Sequence, residues 1–278
     1  MTPPLRAALG ALLRSAAPVA LAALVAVAPD AQILVYGGLA RDRAAEPGAV
    51  YEEVVEVHNP SETPQQARLY LTDYTFAADG SNAYGEPGQL ERSNAGWISF
   101  APSALTIPPG ETAPVTITVT VPAALGAEGS YWSMLMVEAI PEGSAESTLG
   151  EGGDEPLRLG VSERIRYGVQ VATHVGAAAP DIAVVAADLA DGERGKVLAA
   201  DVENVGERLL VGAVYLDVFD AAGTAVGRIG GSTSRVYPGT SVRHRVDLSS
   251  LAPGVYEALL VIDGGDEGVF GAQYTLEL

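Results

Sequence analysis

Apolar and polar residues alternate with period two along almost the whole chain after Gln32, in short runs rich in Val, Ile, Thr and Tyr. Val50, Glu52, Val54 and Glu56 alternate against Tyr51, Glu53, Val55 and Val57; Ala113 to Val121 and Tyr131 to Ile140 repeat the pattern. Successive side chains of an extended strand leave on opposite faces, so this period belongs to strands, and almost no helical stripe competes with it. Pro-Gly, Asp-Gly and Gly-Gly pairs punctuate the runs, and Pro122 ends one of them by removing a backbone donor. The chain reads as all-β.

With Cys 0, no disulfide holds this fold, so apolar cores must do so alone; 278 residues suffice for two of them. In the first half, Arg68 to Thr75 is expected to pair with the strand Val50 to His58 across the turn Asn59-Pro60-Ser61-Glu62. An irregular stretch with Asp79-Gly80 and Pro87-Gly88 follows, then Trp97 to Phe100, Ala104 to Ile107 and the two long runs above. The second half offers Ile182 to Leu189, Val197 to Val205, Leu209 to Phe219, Ala225 to Ile229, Ser241 to Leu248, Val255 to Ile262 and Val269 to Leu276. Seven short strands match an immunoglobulin-like sandwich. The expectation is therefore two consecutive immunoglobulin-like β-sandwiches, 32–175 and 181–278, joined by a linker at 176–180, with no close repeat at residue level.

Arg6 and Arg14 precede a nearly pure Ala/Val/Leu run from Ala16 to Ala28, the pattern of a cleaved signal peptide over 1–31. That run is short for a membrane span, and no second one follows. A protein exported to a periplasm, the cell surface or the medium is expected. The formal charge is -19, from Asp+Glu 35 against Lys+Arg 16, and loss of 1–31 makes it one unit more negative. Nucleic acid is thereby excluded as a natural partner.

Residues 157–175 stand out because they follow a long acidic, glycine-rich segment. Leu157, Leu159 and Val161 share one face; after Glu163, Ile165, Tyr167, Val169 and Val171 continue with the same parity. Arg158, Arg164, Arg166, Gln170 and His174 occupy the other. Ile165 to Val171 reads as a strand completing the first sandwich, and Leu157 to Val161 as an edge available to a partner.

Enzyme chemistry finds no foothold. His58, His174 and His244 are isolated, and no serine elbow, paired-histidine helix or phosphate loop is present. Asp73, Asp79 and Glu86 read as solvated loop acids, and Asp263 to Gly268 as a hairpin turn rather than a calcium loop, since its spacing misses the EF-hand pattern. Trp97 and Trp132 read as core residues, and Thr116, Thr118 and Thr120 as the polar face of a pleat. No metal, cofactor or catalytic residue is assigned.

The strings Trp97-Ile98-Ser99-Phe100-Ala101-Pro102, Leu105 to Glu111 with its Pro108-Pro109-Gly110, Val119-Thr120-Val121-Pro122, and Tyr131-Trp132 to Ile140-Pro141 resemble the N-terminal domain of periplasmic pilus-assembly chaperones. The second half looks like a generic bacterial immunoglobulin-like sandwich. The resemblance implies a protein that donates a strand to partner subunits of a fimbria, pilus or other exported assembly. Leu157, Leu159 and Val161 would be the donor side chains, and the acidic segment Glu142 to Pro156 the loop before them. The family also grips a subunit's terminal carboxylate with a paired arginine and lysine. Lys196, the only lysine, is off the matching strand, so Arg164 or Arg166, with Arg41 or Arg43, would take that role. The alternative function is a structural or adhesive surface sandwich that binds through end loops such as Asp79 to Ser93 or Asp263 to Gly268.

Overall fold

A computed structural model describes residues 33–140 and 165–278. The expected leader lies outside these residues, as do Glu142 to Pro156, Leu157, Leu159, Val161 and Arg164.

Among the described residues the first sandwich holds ten strands: β1 (Leu34–Tyr36), β2 (Ala40–Ala44), β3 (Val50–His58), β4 (Gln65–Phe76), β5 (Asn82–Gly85), β6 (Ile98–Ala101), β7 (Ala104–Ile107), β8 (Thr112–Thr120), β9 (Gly129–Ile140) and β10 (Arg166–Val175). One sheet runs β1-β3-β8-β6; the other runs β2-β10-β9-β4-β5, with β7 also on β4. The leading segment changes sheets, β1 lying antiparallel to β3 and β2 parallel to β10. Inward-facing Val55, Val57, Val115, Ile117 and Val119 meet Leu69, Leu135, Val137, Val169 and Val171 in one core. Each such side chain contributes roughly 1.5–3 kcal/mol of burial. On β8 the alternate residues Thr116, Thr118 and Thr120 form the expected polar face.

Two local expectations fail. Strand β4 does not pair with β3: the two lie in opposite sheets, β3 against β8 and β4 against β9. Alternation sets which face a residue takes but not which strand is its neighbour. The corner is made by Asn59, fully buried, whose Nδ2 donates to the carbonyls of Thr63 (2.8 Å), Ile107 (2.9 Å) and Pro108 (3.1 Å) while Oδ1 accepts from the Ser61 N–H (2.9 Å). The stretch from Asp79 to Ser93 also contains a strand, β5, fixed by pairing with β4.

The second sandwich has the seven expected strands: β11 (Ile182–Asp191), β12 (Lys196–Asn204), β13 (Leu210–Asp220), β14 (Ala225–Val236), β15 (Ser241–Asp247), β16 (Val255–Asp263) and β17 (Val269–Glu277), as sheets β11-β12-β15 and β14-β13-β16-β17. Strand β14 runs well past the expected Ile229, across a register shift opposite Ala213/Tyr215. Asn204, at the end of β12, repeats the corner of Asn59: Nδ2 donates to the Arg208 and Val236 carbonyls at 2.7 and 2.8 Å, and Oδ1 accepts from Gly206 N–H at 3.0 Å. In each corner the asparagine carbonyl accepts from the glycine of a later Pro-Gly turn, Gly110 in one case and Gly239 in the other. The two sandwiches thus share this corner device.

The sandwiches pack against each other through a small third core of Trp132, Ala172, Leu209 and Tyr237, with Phe76 beside it. Both tryptophans are core residues as expected, Trp97 against the first core and Trp132 in this third one: it faces out of its own sandwich and stacks on Tyr237, rings 4.5 Å apart at 19°, with Nε1 donating to the Tyr74 carbonyl at 2.8 Å. Ser130 N–H donates to the Glu207 carbonyl at 2.8 Å, and the Ser130 hydroxyl accepts from Leu209 N–H at 2.8 Å. The approach is so close that a Cβ on Gly129 would stand 2.1 Å from the Glu207 oxygen, and Gly129 also has a positive φ of 129°.

Candidate functional site

The sheet β4-β9-β10 turns its second face away from the core, and register fixes what stands there. Arg68, Glu138 and Arg166 form one row across the three strands; Tyr70, Met136 and Gly168 the next; Thr72, Met134 and Gln170 the third. Further along, Trp132 stands opposite Ala172 and Ser130 opposite His174, where the second sandwich covers the sheet. The first rows instead border an open cleft of about 1130 Å³ lined by Tyr70, Thr72, Tyr84, Met136, Arg166 and Gly168 among others. Glu138 is buried at its polar end, accepting from Arg68 Nε (3.2 Å) and Nη2 (3.1 Å) and from the Tyr70 hydroxyl (3.1 Å). Arg166 is exposed; its hydrogen bond to Tyr70 and the nearby Glu138 charge raise its pKa.

The edge of β10 matters as much as its face. The strand pairs with β9 over its whole length, but β2 covers its other side only from Gln170 to His174. Gln170 N–H donates to the Leu39 carbonyl at 2.8 Å, the first bond of that cover. Backbone groups of a strand alternate in direction, so Gly168 and Arg166 aim theirs to the same side as Gln170. Among the described residues no strand pairs with Arg166–Val169 on that side. Among the described residues, the part of this edge beside the cleft has no covering strand.

Where the edge closes, the two sandwiches are latched. Arg235, at the end of β14, donates from Nη1 and Nη2 to the two Asp42 carboxylate oxygens at 2.8 and 2.6 Å, and from Nε to Gln170 Oε1 at 3.0 Å. Tyr237 donates to the same Gln170 oxygen at 2.8 Å. Burial opposes the guanidinium charge, yet the bonds to Asp42 and the phenol oxygen of Tyr237 hold its pKa above the ordinary value. Burial likewise pushes the Tyr237 phenol up to about 12. Beside this latch His174 bonds to the Ser130 hydroxyl through Nδ1 at 2.7 Å, and burial, with Arg208 next in weight, lowers its pKa.

Of the residues expected to bind a partner, Arg166 is thus at the open edge. Arg41 and Arg43 are not with it: they stand opposite Val171 and Thr173, on the parity opposite to Gln170. Arg43 pairs with Glu53 at 2.9 Å, and Arg41 bonds to the Gly38 carbonyl. The first-strand side chain facing the second sandwich is Asp42, and the arginine there, Arg235, comes from the second sandwich. No local pattern marks Arg235, because its partners are far away in sequence. Lys196 pairs with Asp191 at 2.7 Å on the second sandwich.

Asp73 is a correction. It is buried, not solvated: its carboxylate accepts the N–H groups of Gly88 (3.0 Å), Gln89 (2.7 Å) and Leu90 (2.7 Å) and the Ser93 hydroxyl. Burial raises its pKa, but these four donors outweigh burial and hold it below the ordinary carboxylate value. Asp79 caps its own turn through Ser81 N–H, and Glu86 is exposed. In the Asp263 to Gly268 turn, Asp263 accepts from Gly265 N–H at 2.9 Å and Glu267 pairs with Arg208 at 3.2 Å. His244 is buried between the hydroxyls of Ser232 and Ser234, each at 3.0 Å.

No family model matches the chain, and no curated protein matches it. Among solved structures it is similar to a chain from a chaperone–tip adhesin complex of CFA/I fimbriae biogenesis, at 13% identity over 88% of this chain and 98% of that one, with TM-score 0.47. It is similar also to the class 5 fimbriae chaperone CfaA, at 13% identity over 89% and 100%, TM-score 0.45. A third likeness is to a chain of the CsuC–CsuE chaperone–tip adhesion subunit pre-assembly complex from the archaic chaperone–usher Csu pili of Acinetobacter baumannii, at 14% identity over 87% and 98%, TM-score 0.45. The two-sandwich architecture of the present chain stands on its own strand pairing.

Proposed function

We propose that this chain is an exported, non-enzymatic protein that captures partner subunits by β-strand exchange, as a periplasmic chaperone does while a fimbria, pilus or other surface structure is assembled. The observation that carries this reading is the edge of β10: Arg166–Val169 are paired with β9 on one side only among the described residues, and β2 begins its cover at Gln170. Edge backbone groups form a template for another strand, and alternate side chains supply selectivity. Upstream in the sequence, Leu157, Leu159 and Val161 keep the parity of Tyr167 and Val169, with Glu163 between the two groups, so a partner following the edge would meet a separate apolar series there. Arg164 and Arg166 would lie on its polar side. In this reading a leader over 1–31 directs export, and 32–175 and 181–278 act as two sandwiches joined at 176–180.

The test is capture of subunits from an exported fraction by the tagged full chain. Leu159→Asp is expected to cut recovery at least about tenfold, the effect of placing a charge in an apolar groove, with an unchanged thermal midpoint. Unfolding of the variant would place Leu159 in the core and defeat the reading. Equal recovery of surface or matrix components by both proteins would favour the adhesive alternative.

A further inference from the structure

Gly168 lies in the interior of β10, where a glycine weakens a strand and calls for a reason. A bulge does not supply one, because the register with β9 is unbroken from Arg166 to Val175. Backbone conformation does not either, since Gly168 is not among the positive-φ glycines. The remaining reason is space above the sheet. A Cβ here would meet Met134 Cε at 2.6 Å and Met136 Sδ at 3.5 Å, and the cleft opens beside them. The chain has Met 3 including Met1, so both of its internal methionines end over this one glycine. Thioether side chains are flexible and polarisable and adapt to varied apolar partners. Thr72 Oγ1, also bordering this cleft, is buried without a hydrogen-bond partner.

Resting on strand addition at the β10 edge, we infer that the captured strand carries a large aromatic side chain opposite Gly168 and an acidic side chain two residues away, opposite Arg166. A strand laid on this edge places every second side chain on the cleft face, next to the row of Gly168 and the row of Arg166. A bulky ring beside a strand glycine packs on the partly covered backbone and against the methionine pair that ends over it. A carboxylate opposite Arg166 makes a cross-strand pair of opposite charge, and Arg166 is the exposed, edge member of its row. The partner is thus another protein's extended segment with an aromatic residue and an acid at alternate positions. The recognition lies on the partner's side chains and on the face of β10 opposite to Tyr167 and Val169.

A displayed library of extended nonapeptides, selected on the full chain, tests this, with hydrogen exchange at the Arg166 and Gly168 amides as an independent record of strand addition. The expected result is enrichment of Phe, Tyr or Trp two positions from Asp or Glu, with about tenfold weaker binding when the ring is replaced by alanine. On the Arg166→Glu variant, an exposed change that leaves the core untouched, the selected acid should become Lys or Arg. Peptides that protect both amides without either preference would overturn this inference and leave strand addition standing. If no selected peptide protects those amides, strand addition at this edge fails and the inference fails with it.

Discussion

Asp73 concentrates the residue-scale energetics of the first sandwich, because one carboxylate holds three backbone N–H groups and a hydroxyl of the segment from Gly88 to Ser93. Asp73→Ala would leave those donors without a partner and should lower the unfolding free energy by roughly 2–4 kcal/mol, read from urea denaturation at pH 7. Its folded pKa is depressed, so the stabilisation is complete above the ordinary carboxylate value of about 3.9 and is lost as pH falls through the lower folded value. The difference between wild type and variant should therefore narrow only in strong acid. The histidines set a second window. Burial depresses the pKa of both His174 and His244, so their neutral forms stabilise the fold fully above about 6.5, and stability declines as pH falls from there toward the folded values. His244→Asn should flatten part of that decline in unfolding curves taken between pH 8 and pH 5.

At the scale of elements, the two asparagine corners tie the end of one strand to the turn before another, Asn59 to the turn at Gly110 and Asn204 to that at Gly239. Asn204→Ala removes the bonds to Arg208, Val236 and Gly206 at once. We expect a loss of roughly 2–3 kcal/mol and faster exchange of the Gly239 amide, whereas Asn204→Ala should leave the Gly110 amide unchanged because the two corners share no partner. These corners were only partly legible in the sequence: Asn59-Pro60 reads as a turn, but nothing local says that its side chain reaches Ile107. Strand identities were legible for the same reason that pairings were not. Alternation reports the environment on the two sides of one strand, while the neighbour is chosen by the whole core. That is why β4 was expected beside β3, and why β2 and β5, short and polar, left no signal.

For the whole molecule, the decisive feature is that the sandwiches share a packed interface of Trp132 on Tyr237, closed by the bidentate Arg235–Asp42 pair. Arg235→Leu should loosen it: in a Trp97→Phe background, Trp132 fluorescence should become more accessible to acrylamide, while far-ultraviolet circular dichroism stays the same. Asp42→Asn, which keeps the shape but loses the charge, should give a smaller change in the same direction. In the proposed strand exchange, an interface that holds the cleft face and the edge of β10 in one geometry lowers the ordering cost.

Sequence by itself determined the class of this protein: period two, frequent turn pairs and the absence of cysteine leave an all-β fold held by apolar cores, and the parity of 165–171 fixes which side chains of β10 enter the first core. Tertiary structure alone decided where, among the described residues, β2 covers β10, that Asp73 is a buried hub, that Trp132 belongs to the interface, and that Arg235 of the second sandwich, rather than Arg41 or Arg43, stands against Gln170. The physical reason is range. Periodicity records a residue's own surroundings, whereas these features join groups such as Arg235 and Asp42, 193 residues apart, brought together only when both cores have formed.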